Sequence, residues 1–288
     1  METIPPLEFG KRTYVMGILN VTPDSFSGDG LLSRENMVRA ALEQAQRFVE
    51  AGVDILDIGG ESTRPGSSTV NESEELSRVL PVIDALRSSG IRTLISIDTY
   101  KAVVAEAAID CGADWINDVW ALRADPRMAE VAAARKVPLI LMHNRSKPEQ
   151  AALELRLGGR YIGSVYNDLI GDVRAELMAS VAIARTAGVQ DSRIILDPGI
   201  GFGKTVEQNL ELVNRLEEIK SLGFPVLLGA SRKSFIGYTL DLPPAERVEG
   251  TAAVCAVGIA RGADIIRVHD AEVMVRVARM TDAIVRPI

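Results

Sequence analysis

Eight times along this chain a short apolar run of β type ends in polar or ionisable residues, and together those residues could grip a flat, nitrogen-rich ring and an anionic tail. VMGIL runs into Asn20, ILDIGG holds Asp57, LISI runs into Asp98, and WIND reaches Asn117. PLILM precedes His143, IIL precedes Asp197, PVLLGA leads into Ser231-Arg232-Lys233, and ADII into Arg267-Val268-His269. Carboxylates accept hydrogen bonds, amides donate and accept, and lysine donates. An aminopyrimidinone edge presents two adjacent N–H donors, which one carboxylate accepts in bidentate fashion. Asp197, within DPGIGFGKT, suits that role. Arg267 and His269 alternate about Val268, so both can face one side of a strand. A diphosphate with Mg2+ fits beside them and Asn20, because Mg2+ prefers oxygen ligands and takes few from protein. The glycines of GIGFGKT lack the Walker spacing of a nucleotide loop.

Such residues converge only if the elements between them bring every strand end to one rim. Val38, Leu42, Ala45 and Val49 stripe a helix over about 34–50, and Leu76, Leu80, Ile83 and Leu86 another over about 73–88. Short Ala-rich helices are expected at 101–109 and 126–135, a long one ending near Ala187-Gly188, and a further stripe at Leu212, Leu216 and Ile219. The last two helices are expected at about 245–261 and 271–285. GVDILDIGG, GADWINDV and GADIIRVHD repeat a Gly-x-Asp join, where glycine ends a helix in the left-handed conformation before a strand. Alternation of about eight strands and eight helices in 288 residues predicts a single-domain (β/α)8 TIM barrel over residues 1–288. A doubly wound open sheet is the structural alternative, but no GxGxxG joins a strand to a helix. In such barrels the site lies at the C-terminal rim of the strands, with phosphate often held near the seventh and eighth. Residues 21–32 and 61–70 form loops longer than a tight connection needs, and residues 144–160 form a charged insertion.

Bulk properties exclude several classes. Hydrophobic residues make up 47% and charged residues 25%, enough for a core in a soluble chain. A net charge of −7 argues against nucleic-acid binding, which needs a basic face. No apolar run nears the ~18 residues of a membrane span, and the first residues lack the apolar core of a secretory signal. Cys111 and Cys255 have no metal or redox spacing and suit two buried thiols in a reducing cytoplasm.

Taken in order, GILNVTPDSFSGDG (17–30), DIGGESTRPGS (57–67), SIDTYK (96–101), IND (116–118), LMH (141–143), LDPGIGFGKT (196–205), GASRKSFIG (229–237) and RVHD (267–270) resemble the dihydropteroate synthases over almost the whole chain. The resemblance implies a transferase that joins a hydroxymethyl-dihydropterin diphosphate to p-aminobenzoate in folate biosynthesis, releasing diphosphate. It implies that Asp98, Asn117, Asp197 and Lys233 hold the pterin, with Met142 against it. Asn20, Arg267 and His269 would hold the diphosphate, Asn20 at or beside Mg2+. Phe26, Thr63, Arg64, Pro65, Phe202, Lys233 and Ser234 would frame the p-aminobenzoate pocket. Asp57 would stand near the reacting centre or support the second loop. The family also implies a homodimer and sulfonamides as mimics of the arylamine.

This chain departs from the family at Ser27-Gly28-Asp29-Gly30, where many relatives read SFSDGG, and after His143, where Asn144-Arg145-Ser146 replace Met-x-Gly. Plainer readings compete residue by residue. Each Asp could cap the helix that follows, His143 could only structure its strand end, and Ser234 could be a cap. Trp115 and Trp120 read as packing residues. Two other functions share a pterin-binding barrel: a methyltetrahydrofolate-using methyltransferase, and a binding paralogue without catalysis. The first has no diphosphate to justify Arg267 and His269; the second would tolerate loss of Asn20 and of the first-loop motif, which are both intact.

Overall fold

The computed structural model describes residues 7–22, 34–62, 67, 69–147, 151–152, 154, 156–161 and 163–286. Its strands are β1 (Tyr14–Asn20), β2 (Ile55–Gly59), β3 (Leu94–Asp98), β4 (Trp115–Asp118), β5 (Leu139–Met142), β6 (Ile194–Asp197), β7 (Leu227–Leu228) and β8 (Ile265–Val268). They pair in parallel in the order β6-β5-β4-β3-β2-β1-β8-β7. A parallel bridge from Leu196 to Val226 joins the two edges and closes the barrel. That closure rules out the open doubly wound sheet.

The helices are α1 (Arg34–Ala51), α2 (Glu72–Ser88), α3 (Ala102–Cys111), α4 (Arg127–Arg135), α5 (Leu169–Thr186), α6 (Val206–Asn214), α7 (Leu216–Lys220), α8 (Ser234–Leu240), α9 (Val248–Ala260) and α10 (Ala271–Val285). The stripe at Leu212, Leu216 and Ile219 spans two helices, because Arg215 leaves helical geometry at φ −108° and ψ 24°. Helix α8, after β7, is too short to leave a periodic stripe. Within the insertion, Ala151–Ala152 pairs antiparallel with Arg160–Tyr161. Cys255 is buried, but Cys111 is only half-buried, because its face of α3 reaches the surface.

Strand periodicity sorts the barrel into layers. Outward residues such as Val15, Leu19, Leu56, Ile58, Ile97, Leu141 and Val268 pack with the helices in one continuous core. Inward residues Tyr14, Met16, Ile55, Leu94, Trp115, Ile140, Ile195, Leu227 and Ile265 form a second cluster that fills the lower barrel. Each such burial is worth about 1.5–3 kcal/mol. Two residues further along the strands the inward positions change character. They become Asp57 after Ile55, Ser96 after Leu94, Asn117 after Trp115, Met142 after Ile140, Asp197 after Ile195 and Arg267 after Ile265. An apolar plug therefore supports a polar tier.

The repeated Gly-x-Asp join has a structural cause. Gly52, Gly112 and Gly262 take φ of 91°, 117° and 99° at helix ends. Two residues later, Asp54, Asp114 and Asp264 accept the neighbouring strand's N–H from Val15 (2.9 Å), Ile95 (2.8 Å) and Val226 (2.8 Å). Each carboxylate also meets a cation, Arg12, Arg87 or Lys220. These latches pin strand register where strands begin, which leaves the opposite rim free for chemistry.

Candidate active site

The polar tier is organised around Arg267. Its Nε donates to Asp57 Oδ2 at 2.5 Å, and an outer guanidinium nitrogen donates to Asp98 Oδ2 at 2.5 Å. Asn117 Nδ2 donates to the same Asp57 oxygen at 3.1 Å. Burial works against the Arg267 charge, yet Asp57 and Asp98 hold its pKa above the ordinary value. Burial also pushes Asp98 up to about 7, with Arg267 opposing. Asp57 Oδ1 and the facing Ser96 Oγ are buried without a protein partner among the described residues. Unpaired buried oxygens are costly and suit a site that bound ligand or water completes.

Asp57 is fully buried beside Asn117 and Arg267, deep in the barrel. It makes no hydrogen bond to the described part of the second loop. Nor does any of Asp57, Asp98 or Asp197 cap a helix. Asn71 caps α2, and Thr205 caps α6 with a reciprocal bond to Gln208.

A second group lies across the barrel. Asp197 pairs in register with Met142, and both point inward. Asp197 Oδ1 accepts from Gly199 N at 2.7 Å. The Lys233 ammonium donates to Ile200 O and stands 4.2 Å from the centre of the Phe202 ring. Burial raises the Asp197 pKa and lowers that of Lys233 to about 7, each partly offset by the other. Buried groups shifted toward neutrality mark a site arranged for a ligand rather than for stability alone.

The loop between them requires glycine. At Gly199, φ is 69°, and a Cβ would stand 1.7 Å from His143 O. Gly199→Ala should therefore lower stability by about 1–2 kcal/mol from the left-handed strain, with a further loss from the displaced His143 backbone. Thermal unfolding measures this, and an unchanged midpoint would show that the loop relaxes freely.

Nearer the rim, Asn20 Oδ1 and Asp98 Oδ2 lie 3.8 and 3.6 Å from the position a Cβ on Gly59 would occupy, so both oxygens border one spot. His269 N donates to Ser231 Oγ at 3.1 Å, and its Nδ1 lies 3.1 Å from the same oxygen. Arg232 clamps Asp270 at 2.8 and 2.5 Å, which ties the loop after β7 to the loop after β8. Lys233 and Ser234 open helix α8, with Lys233 in the capping position. The structure thus gathers Asn20, Asp57, Asp98, Asn117, Met142, Asp197, Phe202, Lys233, Ser234, Arg267 and His269 at one end of the barrel. Phe26, Thr63, Arg64 and Pro65 lie outside the described residues.

Sequence reasoning passed over two sets of residues. Lys101 joins Glu61 to Glu75, the latter at 2.5 Å, at the start of the second loop. Lys204 is buried with its ammonium 3.0 Å from His143 Nδ1. Only the placing of these residues inside otherwise site-forming motifs could have pointed to them. His143 is the better test of burial, because burial and the Lys204 charge hold its pKa down to about 4 from 6.5.

Above pH 6.5 folded and unfolded rings are both neutral, and the stabilising difference is fully present. As pH falls from 6.5 toward about 4, the unfolded chain takes up a proton that the folded ring refuses, and about 3 kcal/mol is lost. The chain has two histidines, so ring NMR resolves them readily. A His143 ring titrating near 6.5 would contradict this burial.

The chain is similar to known proteins in sequence and in fold. Residues 16–269 match the family described as pterin binding enzyme. A dihydropteroate synthase of Bacillus subtilis is 50% identical over 277 residues, spanning 96% of this chain and 90% of that relative. The crystal structure of the dihydropteroate synthase from Clostridium difficile, in the presence of pteroic acid, matches with a TM-score of 0.89 at 46% identity, over 98% of this chain and 100% of that one. The enzyme of Xanthomonas albilineans with 4-aminobenzoic acid matches with a TM-score of 0.85 at 39% identity, over 96% and 94%.

Proposed function

Because this chain belongs to the dihydropteroate synthase family of pterin-binding enzymes, we propose that it is a folate-synthesis transferase joining 6-hydroxymethyl-7,8-dihydropterin diphosphate to p-aminobenzoate, with release of diphosphate. The observation that carries this reading is the polar tier on its apolar plug, with carboxylates at two sides of the barrel and cations between them. Relatives crystallised with pteroic acid and with 4-aminobenzoic acid support the two ligand classes.

Asp197 accepts the paired N–H donors of the pterin, Asp98 and Asn117 meet its other edge, and Met142 and Lys233 bound the ring. Asn20, Arg267 and His269 receive the diphosphate at the lip. Phe202, Lys233 and Ser234, with Phe26, Thr63, Arg64 and Pro65 of the first two loops, frame the arylamine. Asp57 acts from beneath by holding Arg267 and Asn117. Asn20 would hold Mg2+ through its side-chain oxygen, with phosphate oxygens and water completing the set, because Mg2+ prefers oxygen donors and takes few from protein. When bound, Mg2+ offsets charge on the leaving diphosphate.

The methylene C–O bond breaks with its electron pair leaving on diphosphate, which Arg267 and His269 stabilise in a site shielded from water. The conjugated ring stabilises the resulting pterin-methyl cation. The arylamine lone pair then forms the C–N bond, and the nitrogen loses its extra proton. Little base catalysis is needed.

We further propose that the reaction runs in the cytoplasm, where a chain whose resemblance implies folate synthesis would meet its substrates. Among the described residues no helix is long and apolar enough to cross a membrane. We take the working form as a homodimer, because Ala253, Val257 and Ala260 leave one face of the apolar α9 exposed.

Mixing the protein with Mg2+, the pterin diphosphate and p-aminobenzoate should release diphosphate only when the arylamine is present. Tight pterin binding without release would overturn the synthase reading in favour of a binding paralogue.

A further inference from the structure

Lys204 is buried to 3% exposure, yet the proposed chemistry makes no use of it. A buried amine is costly unless its hydrogens are taken, and here they are. Nζ donates to Gly199 O at 2.8 Å and to Phe202 O at 3.1 Å, and it meets His143 Nδ1 at 3.0 Å. The loop so tied contains Gly199, Gly201 and Gly203, all at positive φ. Glycines there are needed for fit, and they make an untied loop loose. A Cβ on Gly201 would stand 2.7 Å from Lys233 Cδ, and one on Gly203 2.5 Å from the Arg145 backbone.

The loop has two cations on it. Lys204 holds its inner carbonyls, while Lys233 holds Ile200 O and stands over the Phe202 ring. Behind Lys204 the contacts continue outward. His143 Nε2 lies 3.1 Å from Glu176 Oε2, a close contact without full hydrogen-bond alignment. A carboxylate at that nitrogen favours the tautomer with its proton on Nε2, which leaves Nδ1 to accept from Lys204. Glu176 is held by Arg145 Nε at 2.8 Å, and Arg145 stacks over Tyr166 at 4.2 Å.

We propose that Lys204 is a positioning residue that ties the 199–203 loop to His143 and thereby sets where Phe202 and Lys233 meet the arylamine, with Glu176 and Arg145 fixing His143 from behind. This deepens the reading of the site given above and rests on it. Asp98, Asn117 and Asp197 stand on strands outside the loop, although Asp197 also accepts from Gly199 N and Lys233 donates to Ile200 O, so loosening the loop should weaken arylamine binding more than pterin binding.

Lys204→Met keeps the length and removes the donors. It should raise KM for p-aminobenzoate about tenfold or more, with kcat and pterin Kd changed about threefold or less. Hydrogen exchange at the backbone amides of 199–203 should quicken about tenfold while the strands are unaffected. His143→Gln, which retains an acceptor for Lys204, should stay near the wild type, and His143→Leu should move in the direction of Lys204→Met. If Lys204→Met does not fold, the two His143 variants decide the matter alone. Unchanged exchange at 199–203 would overturn the clamp, as would proportional losses of pterin and arylamine affinity. If the wild type shows no arylamine-dependent turnover, the functional reading fails, and the exchange measurement still decides whether the clamp exists.

Discussion

Arg267→Met should yield a protein less stable by about 3–5 kcal/mol and slower by roughly a thousandfold in diphosphate release. The stability loss follows from what the guanidinium holds. Asp57 is fully buried and Asp98 is partly buried, its side chain 11% exposed, and both accept from Arg267 at 2.5 Å. Removing the cation leaves two carboxylates facing each other in a low-dielectric interior. Desolvation already pushes Asp98 up to about 7 with Arg267 present, so without it protonation becomes the relief. The stability deficit should therefore shrink as pH falls toward 7, where Asp98 of the variant takes up a proton while that of the wild type is still largely ionised. Adding Asp98→Asn to Arg267→Met should restore part of the stability and none of the rate. Denaturant unfolding at two pH values and single-turnover diphosphate release measure both effects. A variant as stable as the wild type at pH 8 would show that the three groups are not coupled as described.

Asp197→Asn should weaken pterin binding by roughly 1.5–3 kcal/mol, the worth of a hydrogen bond to a charged group. Asn keeps an oxygen for the Gly199 N–H, now accepted at 2.7 Å, so the loop stays in place. It replaces the second acceptor with a donor, which faces the N–H groups of the bound ring. Asp197→Ala loses both functions and should cost more in stability as well as affinity. Calorimetric titration of pterin and p-aminobenzoate separates the two substrates. Unchanged pterin affinity in both variants would remove Asp197 from its assigned role.

Much of the site was legible before the fold was known, because strand periodicity and motif order are local. Asp57, Asn117, Asp197 and Arg267 each follow an inward apolar residue by two positions, and Asp98 follows inward Ser96 likewise, the spacing that keeps a side chain on one face. The break at Arg215 and the short α8 were not legible, since helix ends depend on neighbours packed across them. The role of Lys204 was hidden as well. Read locally it is a loop lysine, and only the pairing of β5 with β6 brings His143 to it from the end of another strand.

Local patterns along the chain were enough to establish the alternation of elements, the apolar runs behind polar strand ends, and the resemblance to a family. Periodicity and motif order are encoded in residues close together along the chain. Only the tertiary structure decided that Arg267 spends its charge on Asp57 and Asp98, and that buried Lys204 ties a glycine loop to His143. The physical reason is that such partners lie far apart in sequence. Closing the ring removes them from water together, and in that interior each ionised group must find its partner across the barrel.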